Sequence, residues 1–492
     1  MKYFAKNRYE EPKEFLYKIE SFSGINAAAE QETLPLGYAT YGYNVRFSGG
    51  AMTQGYGVGY ATINSRYLPG MLTVGEAIKK LFLYKRFDRT TGARDDRLIV
   101  QSDNEKLYQA NLTTDTVFHE INATLGTSNL TFLNCEYNDA DVLWISDDHG
   151  HLVLYDGTNA VVMNDTPYFS DACFYNGRVF ATSGTGNNVL RFSAEGDPTE
   201  WAEAEGAGTV TFPDEGGKIL RAVQFKEALL VFREYGVWRY VGYPRSSVYT
   251  LERIYATERM IEAKSVCVCG DRVIFATGNG FYAYNGSSVG RVFSELFPLA
   301  DGLDDCAGCY YDNKYYFAFR MKDDGETVGD EVATFKNNAF LAIGMDEKFL
   351  SVTRGTDVRE FIPVSVGSET ALLCAFGGNY HPFDIGMVTD SGKVFSTPLK
   401  KKWRSPKTTL SKLSRDKFLR KIFLLSNGAM TLTVDADGKS EFMLPSGVRT
   451  HCICVGKRAD AVGLELASTA DKFTAYGLEM EFDIKRRGFY ER

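Results

Sequence analysis

Six of the nine cysteines in this 492-residue chain fall into closely spaced pairs, a pattern that could bind a metal ion. The pairs are Cys267 with Cys269, Cys306 with Cys309, and Cys452 with Cys454. Zinc-binding pairs normally lie on turns, with a second pair at a characteristic spacing. The two i, i+2 pairs lie instead in apolar, β-prone runs, SVCVCG and HCICVG. We therefore predict small buried apolar side chains that share one strand face, and no metal site.

The histidines could also supply metal ligands or acid–base groups, but most are isolated in the sequence. They are His119, His149, His151, His381 and His451. His149 and His151 alternate beside Asp147 and Asp148, which would suit a metal ion. The sequence DDHGH between two apolar runs is, however, typical of an exposed hairpin tip, and we favour that interpretation.

Paired carboxylates could serve a glycosidase, because such enzymes place two carboxyl groups around the scissile bond. The candidates are Asp304 with Asp305, and Asp323 and Asp324 with Glu326. Both groups lie in loop-like stretches, where solvated carboxylates are far commoner. No nucleophile elbow, zinc-binding helix or phosphate-binding loop accompanies them. We predict a protein that is not an enzyme and that has no catalytic residues, metal or cofactor.

A repeated phrase indicates the elements that carry these residues. Between Leu98 and Phe376 the chain returns to a β-prone run, a glycine-bearing turn and an aromatic-rich run. The first runs centre on Ile99, Trp144, Phe180, Val231, Ile274 and Phe317, and a seventh candidate starts at Ala371. Steps of about 36 to 51 residues match a four-stranded blade. We predict an all-β protein with a β-propeller of six or seven blades, the alternative being an open sandwich of β-meanders.

Composition agrees with an all-β chain of several parts, since 47 Gly, 29 Tyr and 34 Phe supply turns and strands. Only residues 32–38 and 75–84 suggest short helices. The N-terminus lacks the apolar core of a signal peptide, and no run approaches the roughly 18 apolar residues of a membrane helix. We therefore expect a soluble protein that is made in a cytoplasm and does not contact a membrane.

Charge divides the chain into unlike parts. Residues 400–492 contain 19 Lys and Arg against 11 Asp and Glu, a net charge of +8. Since the whole chain carries −8, residues 1–399 carry −16. The basic excess is concentrated in residues 400–421, and alternating strands without the repeated phrase follow. We predict an N-terminal segment at 1–75, a propeller at 76–399, and a small β-sandwich with a basic leading strip at 400–492. The basic strip favours docking to an acidic partner over nucleic-acid binding.

Three segments resemble a known family. Residues 24–60 resemble the start of bacteriophage tail nozzle and packaged-DNA stabilisation proteins. Residues 188–242, with Asp197-Pro198-Thr199 and Trp201, resemble a blade segment of that family, and Lys417–Gly438 are similar to its closing β-domain. The matching residues of the opening segment are Asn26, Asn44, Arg46, Gly50, Gly55 and Gly57.

The resemblance implies a structural protein of the virion, assembled in the bacterial host cytoplasm. Copies of the chain would form a ring in the tail and attach to the portal or head–tail adaptor and to other tail proteins. Genomic DNA would be retained and then conducted through the lumen without sequence-specific binding, which suits an acidic body that repels DNA. The candidate docking residues are Arg46, Lys400, Lys401, Lys402 and Arg404.

Two other functions remain open from the sequence. The first is a glycan-binding or receptor-binding propeller of a phage tail, which would need a cleft lined with aromatic side chains and carboxylates. The second is a cytoplasmic propeller scaffold outside any virion, because many propellers are binding platforms.

Overall fold

The computed structural model describes residues 13–486, except for several short internal segments. The exceptions are 64–65, 68–77, 90, 104, 124, 126–129, 148–151, 164–165, 168, 183–187, 214–215, 243–248, 347–349, 378–384 and 413–414. Strands dominate the described residues, whose helices are three 3-10 helices of three residues, at Glu203–Glu205, Ala263–Ser265 and Phe297–Leu299. No described helix is long and apolar enough to span a membrane.

Seven short strands precede the first blade. They are β1 (Lys13–Ile19), β2 (Tyr41–Tyr43), β3 (Val45–Ser48), β4 (Ala51–Gln54), β5 (Gly57–Tyr60), β6 (Thr62–Ile63) and β7 (Arg66–Tyr67). Strands β6 and β7 pair with each other, and the first five pair with strands that lie hundreds of residues later. The N-terminal segment is therefore distributed over several distant sheets.

Five four-stranded antiparallel sheets follow, each made of strands from one continuous stretch of sequence. Blade 1 contains β8 (Ile78–Tyr84), an inserted hairpin of β9 (Phe87–Asp88) and β10 (Ala93–Arg94), then β11 (Arg97–Ser102), β12 (Leu107–Asn111) and β13 (His119–Glu120). Blade 2 contains β14 (Leu130–Tyr137), β15 (Ala140–Asp147), β16 (Leu152–Tyr155) and β17 (Ala160–Met163). Blade 3 contains β18 (Asp171–Tyr175), β19 (Arg178–Thr182), β20 (Val189–Phe192) and β21 (Gly208–Thr211).

Blades 4 and 5 repeat this arrangement. Blade 4 contains β22 (Ile219–Phe225), β23 (Ala228–Arg233), β24 (Gly236–Gly242) and β25 (Tyr249–Ala256). Blade 5 contains β26 (Cys267–Cys269), β27 (Arg272–Thr277), β28 (Gly280–Tyr284) and β29 (Val289–Val292).

Blades 6 and 7 belong to larger sheets. Blade 6 contains β30 (Ala300–Tyr311), β31 (Lys314–Met321), β32 (Ala339–Gly344) and β33 (Leu350–Arg354). Blade 7 contains β34 (Val358–Val366), β35 (Glu369–Phe376) and β36 (Ile385–Thr389). Its fourth strand is the N-terminal β5, which pairs antiparallel with β36 so that Gly57 lies opposite Thr389. A strand from the start of the chain thus completes the last blade.

Seven apolar clusters lie between successive blades and close the ring. Middle-strand side chains alternate between the two neighbouring interfaces: Phe180 packs toward blade 4, whereas Val179 and Ala181 pack toward blade 2. The last interface joins Leu373 of blade 7 to Leu98 of blade 1. Because both faces of each middle strand are buried, these strands are almost continuously apolar.

The C-terminal residues form a two-sheet sandwich with the N-terminal strands. Its strands are β37 (Lys393–Val394), β38 (Thr397–Pro398), β39 (Lys401–Arg404), β40 (Arg415–Asn427), β41 (Met430–Ala436), β42 (Gly438–Leu444), β43 (Arg449–Arg458), β44 (Gly463–Ser468) and β45 (Thr474–Arg486), of which β37 and β38 attach to β5 of the blade 7 sheet. One sandwich sheet has the order β2-β39-β44-β41-β42. The other has the order β4-β45-β40-β43, with β1 also paired to β45, and continues through β3 into β33 of blade 6.

The predicted all-β class, with a propeller followed by a sandwich, is confirmed, and the described sheets form seven blades. In blades 1 to 5 the repeated phrase corresponds to the second and third strands, and in blades 6 and 7 it covers the second strand, β31 or β35. The two expected helices are wrong: residues 32–38 form turns, and Ile78–Tyr84 is the first strand of blade 1. The Leu and Lys content of residues 75–84 suits a helix, but packing between blades decides the conformation of Ile78–Tyr84.

We predict that Gly57→Ala weakens the closure of blade 7. A Cβ at Gly57 would lie 2.5 Å from the backbone nitrogen of Lys393 and would also contact its carbonyl oxygen, so β5 would have to move. Overpacking of this kind costs about 2 kcal/mol, which would lower the free energy of unfolding in denaturant titrations. The matched control is Gly290→Ala, because a Cβ there meets no atom within 4 Å. Equal stability of the two variants would contradict the closure role of β5.

Candidate functional site

A buried ionic junction joins the propeller to the sandwich. Its centre is Arg354, at the end of β33 in blade 6, whose side chain is 2% exposed. Its guanidinium lies 2.7 Å from Asp324, 3.1 Å from Glu331 and 3.2 Å from Asp323. It also donates to the carbonyl oxygen of Glu326 at 2.8 Å. Since all four acids belong to the connection between β31 and β32, the arginine organises that loop.

Lys402 connects the same acids to the sandwich. It lies on β39, its side chain is 2% exposed, and its Nζ is 2.9 Å from Asp324 and 3.0 Å from Glu326. Glu465 of β44 lies 3.6 Å from the same Nζ and 2.8 Å from Nε of Arg404. Asp324 is therefore shared between a cation of blade 6 and a cation of the sandwich.

Two tyrosines of β2 complete the junction. The Tyr43 hydroxyl donates to Glu326 at 2.9 Å, and its ring lies under the Arg354 guanidinium at 5.2 Å. The Arg354 guanidinium donates to the Tyr41 hydroxyl at 3.1 Å. Burial strongly raises the pKa of both phenols, so both remain neutral donors and acceptors at ordinary pH. The N-terminal segment is thereby fixed to the same charges.

The pKa of Glu326 reflects this arrangement. Burial alone would raise it, but hydrogen bonds from Lys400, Lys402 and Tyr43 outweigh burial and lower the pKa to about 2. The pKa of Asp324 is lowered in the same way by Lys402 and Arg354 against the effect of burial. Both carboxylates therefore stay charged through the physiological range, and their cations are always paired.

Asn44 holds the junction through its side chain, which is fully buried. Its amide nitrogen donates to the carbonyl oxygens of Arg354 at 3.1 Å and Lys400 at 2.7 Å, and its amide oxygen accepts from the Arg354 backbone N–H at 2.8 Å. Its φ of +59° is a conformation that asparagine tolerates better than most residues. The asparagine of the family resemblance thus has a structural role in this chain.

The predicted docking residues do not form one exposed face. Lys401 and Lys402 are buried, so the prediction that they lie on a docking surface is wrong for this chain. The physical reason is that β39 lies inside its sheet, between β2 and β44, and buries both faces. Lys400 pairs with Glu326 at 2.7 Å, and Arg404 pairs with Glu465. Lys400, Lys402 and Arg404 therefore stabilise the junction, although Lys400 and Arg404 remain partly exposed.

Arg46 lies apart from the other four predicted residues. It pairs with Asp390 at 2.8 Å and lies over the Tyr56 ring at 5.7 Å. It links β3 to the segment that follows β36 in blade 7. Further along the basic strip, Lys407 pairs with Asp435 at 2.8 Å and Arg420 with Glu14 at 2.9 Å. Much of the strip's charge is thus balanced within the chain.

Lys401 points away from the junction and has a different environment. It is fully buried, and its Nζ donates to the Leu399 carbonyl oxygen at 2.9 Å. Burial lowers its pKa to about 8, with Asp471 opposing the shift. Its neighbour Lys402 contacts two carboxylates at hydrogen-bonding distance, whereas Lys401 makes no such contact in the described residues.

A second group of charges lines the axis of the propeller. Charged side chains of several innermost strands each bond the backbone of the next blade. Glu360 accepts from the Leu81 N–H at 2.7 Å, and Lys80 donates to the Leu130 carbonyl oxygen at 2.8 Å. Asp171 of blade 3 accepts from the Ala222 N–H of blade 4 at 2.9 Å. Arg221 donates to the carbonyl oxygens of Ala263 and Val266, where blade 5 begins. These hydrogen bonds connect neighbouring blades around the axis.

The remaining chemical candidates are dispersed. Cys269 is buried as predicted and its pair partner Cys267 is partly buried. Cys306 and Cys309 are also buried. Cys452 and Cys454, however, are exposed, which corrects the expectation for that pair. They share one strand face, and that face of β43 is turned outward. His149, His151 and His381 lie outside the described residues. Within the described ranges, no three His, Cys, Asp or Glu side chains are placed to hold a metal ion.

The other predicted residues have structural contacts. Asp305 pairs with Lys336 at 2.9 Å. Trp201 packs against Phe169, with ring centroids 4.4 Å apart, in the core between blades 2 and 3. Sequence reasoning missed Arg354 and Glu465 because each is the one charge in its strand, and it missed Glu331 because that residue follows Asp330 in an acidic loop. One available signal was the charged residue at the end of the strand LSVTR.

Comparison with known proteins identifies similar folds but no family. No family model matches the chain, and no curated protein matches it. A solved structure of BBS1N in complex with ARL6DN is 10% identical, covers 65% of this chain and 95% of its own, and has a TM-score of 0.41. YCF48 bound to D1 peptide is 10% identical over 67% of this chain and 97% of its own, with a TM-score of 0.39. BamB from Moraxella catarrhalis is 10% identical over 70% of this chain and 93% of its own, with a TM-score of 0.38.

The adjacent lysines give a direct test of the junction. We predict that Lys402→Met lowers the free energy of unfolding by about 3 kcal/mol, because it leaves buried carboxylates with fewer cations. Lys401→Met should change it by less than about 1 kcal/mol at pH 7, since a buried lysine without a carboxylate contact gains little from its charge. Denaturant titration of both variants measures the difference, and equal losses would show that Lys402 has no special role.

Proposed function

We propose that this chain is a non-enzymatic structural protein of a bacteriophage virion, a ring-forming tail subunit that attaches to the portal or adaptor. The observation that supports a ring is the position of two unpaired edge strands in one sheet of the sandwich. In the order β1-β45-β40-β43, the strands β1 and β43 are the two outer strands, and each is paired on one side only among the described residues. An unpaired edge offers backbone N–H and C=O groups to another strand.

The two edges are complementary in direction. All three pairings within β1-β45-β40-β43 are antiparallel, so β1 and β43 run in opposite directions. A second copy could therefore place its β1 antiparallel against β43 of the first copy and continue the sheet. Such contacts join different surfaces of identical subunits, and they close into a ring when the rotation between subunits divides a full turn.

The junction supports the same proposal, because a ring subunit must transmit force without coming apart. The shared sheet through β3 and β33 and the charges around Arg354 make the propeller and sandwich one body. The −16 charge of residues 1–399 would keep DNA from adhering to the propeller while the genome passes. The family resemblance at Asn44, Gly55 and Gly57 supports a position in the tail.

Cross-linking tests the edge pairing. Leu16 of β1 is 46% exposed, and Cys452 and Cys454 are exposed on β43. We predict that Leu16→Cys yields a ladder of covalent oligomers on non-reducing gels after mild oxidation of the purified protein. Within one chain β1 and β43 are three strand spacings apart, about 14 Å, which exceeds the reach of a disulfide of about 7 Å between Cα atoms. A disulfide between these positions must therefore join two copies.

The control keeps Leu16→Cys and replaces both Cys452 and Cys454 by serine, which should abolish the ladder. A ladder that survives this replacement arises from other cysteines and contradicts the pairing. So does an oxidised Leu16→Cys protein that remains monomeric at the concentrations where the native chain forms rings in electron micrographs.

Particle composition tests the wider proposal. We predict that particles purified from cells encoding this chain contain it together with capsid and portal proteins, in several copies per portal ring. Quantitative mass spectrometry of density-purified particles measures that ratio. A chain recovered only in the particle-free fraction would contradict a virion role and favour a cytoplasmic scaffold.

A further inference from the structure

Five charged side chains from different blades converge on the propeller axis. They are Lys80 of blade 1, Asp171 of blade 3, Arg221 of blade 4, Lys264 at the start of blade 5 and Glu360 of blade 7. Four of them lie on the first strands of their blades, β8, β18, β22 and β34, and Lys264 precedes the first strand of blade 5. The four bond the backbone of the next blade around the axis, so they line the central channel. Burial lowers the pKa of Lys80 and the two acids oppose that shift, whereas burial raises the pKa of Glu360 and the three cations oppose it. The channel is therefore lined by three cations and two acids.

The cations keep donors that the protein does not use. Lys80 donates one hydrogen bond, to the Leu130 carbonyl oxygen, and an ammonium group has three N–H groups. Arg221 donates from one terminal nitrogen to two carbonyl oxygens, and its other terminal nitrogen and Nε have no protein acceptor in the described residues. Lys264 is exposed and makes no hydrogen bond or ion pair with any described residue. None of the three forms a salt bridge within the described part of the chain.

The acids, by contrast, are already engaged. Asp171 accepts from the Ala222 N–H, and Glu360 accepts from the Leu81 N–H. Burial raises the pKa of both carboxyl groups and lowers the pKa of Lys80, so burial disfavours charge of either sign in the channel. With three cations against two acids, positive charge with free donors still exceeds negative charge at the axis. This contrasts with the ionic junction, where every cation contacts a carboxylate.

We propose that the axial channel binds a small, multiply charged oxyanion, held by Lys80, Arg221 and Lys264. Such an ion supplies several acceptor oxygens at once, and hydrogen bonds between ionised partners are the strong ones. The site is independent of ring assembly, because every residue in it belongs to one chain. Its chemistry is that of free phosphate or sulfate, whereas a monocarboxylate such as acetate offers one charge to three cations.

Isothermal titration calorimetry of the full chain tests the site, with inorganic phosphate as the probe at constant ionic strength. We expect saturable phosphate binding, similar sulfate binding and at least about tenfold weaker acetate binding. Lys264→Met should weaken phosphate binding about tenfold, since it removes one of the three cations that would hold the ion. Glu360→Gln should strengthen binding about threefold, because glutamine still accepts from the Leu81 N–H but carries no negative charge.

The matched control is Lys439→Met, which makes the same charge change on β42 of the sandwich, far from the axis. It should leave phosphate affinity unchanged. Equal weakening by Lys264→Met and Lys439→Met would show that phosphate responds only to net charge and would overturn the proposal. Absence of saturable phosphate binding to the native chain, or equal affinity for acetate, would overturn it as well. Lys264 is exposed and not part of the apolar core, so its variant should fold normally.

Discussion

The shared carboxylate of Asp324 is the interaction on which the rest of the architecture depends. Arg354 and Lys402 are almost fully buried and come from parts of the chain that belong to different sheets. A buried cation without a partner is very unfavourable, whereas a pair with complete hydrogen bonding is tolerated. If the sandwich moved away from blade 6, both cations would lose part of their compensation at the same time. The junction therefore makes relative motion of the two parts costly, although the net stabilisation by each ion pair is modest.

The junction also explains why both chain ends are needed at one place. Tyr41, Tyr43 and Asn44 come from the N-terminal segment, and Lys400 and Lys402 from the C-terminal part. A few residues further on, β5 completes blade 7 by pairing with β36, more than 300 residues away in sequence. Contacts over such separations are slow to form, because the entropy of closing a long loop is lost before they form. Blades 1 to 5 can form from strands that are close in sequence. Blade 7 and the sandwich can form only when strands from both ends of the chain have come together.

The sequence predicts the local part of this structure well and the distant part poorly. The repeated phrase is visible because the second and third strands of blades 1 to 5 adjoin in sequence and are buried on both faces. The sixth and seventh copies are harder to recognise because longer segments separate their second and third strands, residues 322–338 between β31 and β32 and residues 377–384 between β35 and β36. The basic run KKKWR suggests a solvated face, since lysine is rarely buried. What decides its burial is the place of β39 between β2 and β44, and no local pattern encodes the pairing of strands so far apart.

The two charge clusters have different roles, and the number of unused hydrogen-bond donors on their cations distinguishes them. At the junction, Lys402 contacts three carboxylates. Arg354 contacts three carboxylates, of which Asp324 is shared, and also donates to the Glu326 carbonyl oxygen and the Tyr41 hydroxyl, so the donors of both cations are used within the chain. Among the described residues, Arg221 and Lys80 on the axis bond only to backbone carbonyl oxygens, and Lys264 bonds to none. A cation whose donors are all used can stabilise a fold but has little left for a ligand. A cation with spare donors in a confined channel must turn to water or to an anion, and an anion gains more from three such cations than water does. The two clusters therefore differ in their unused donors: the junction maintains the fold, whereas the axial cluster can still bind an anion.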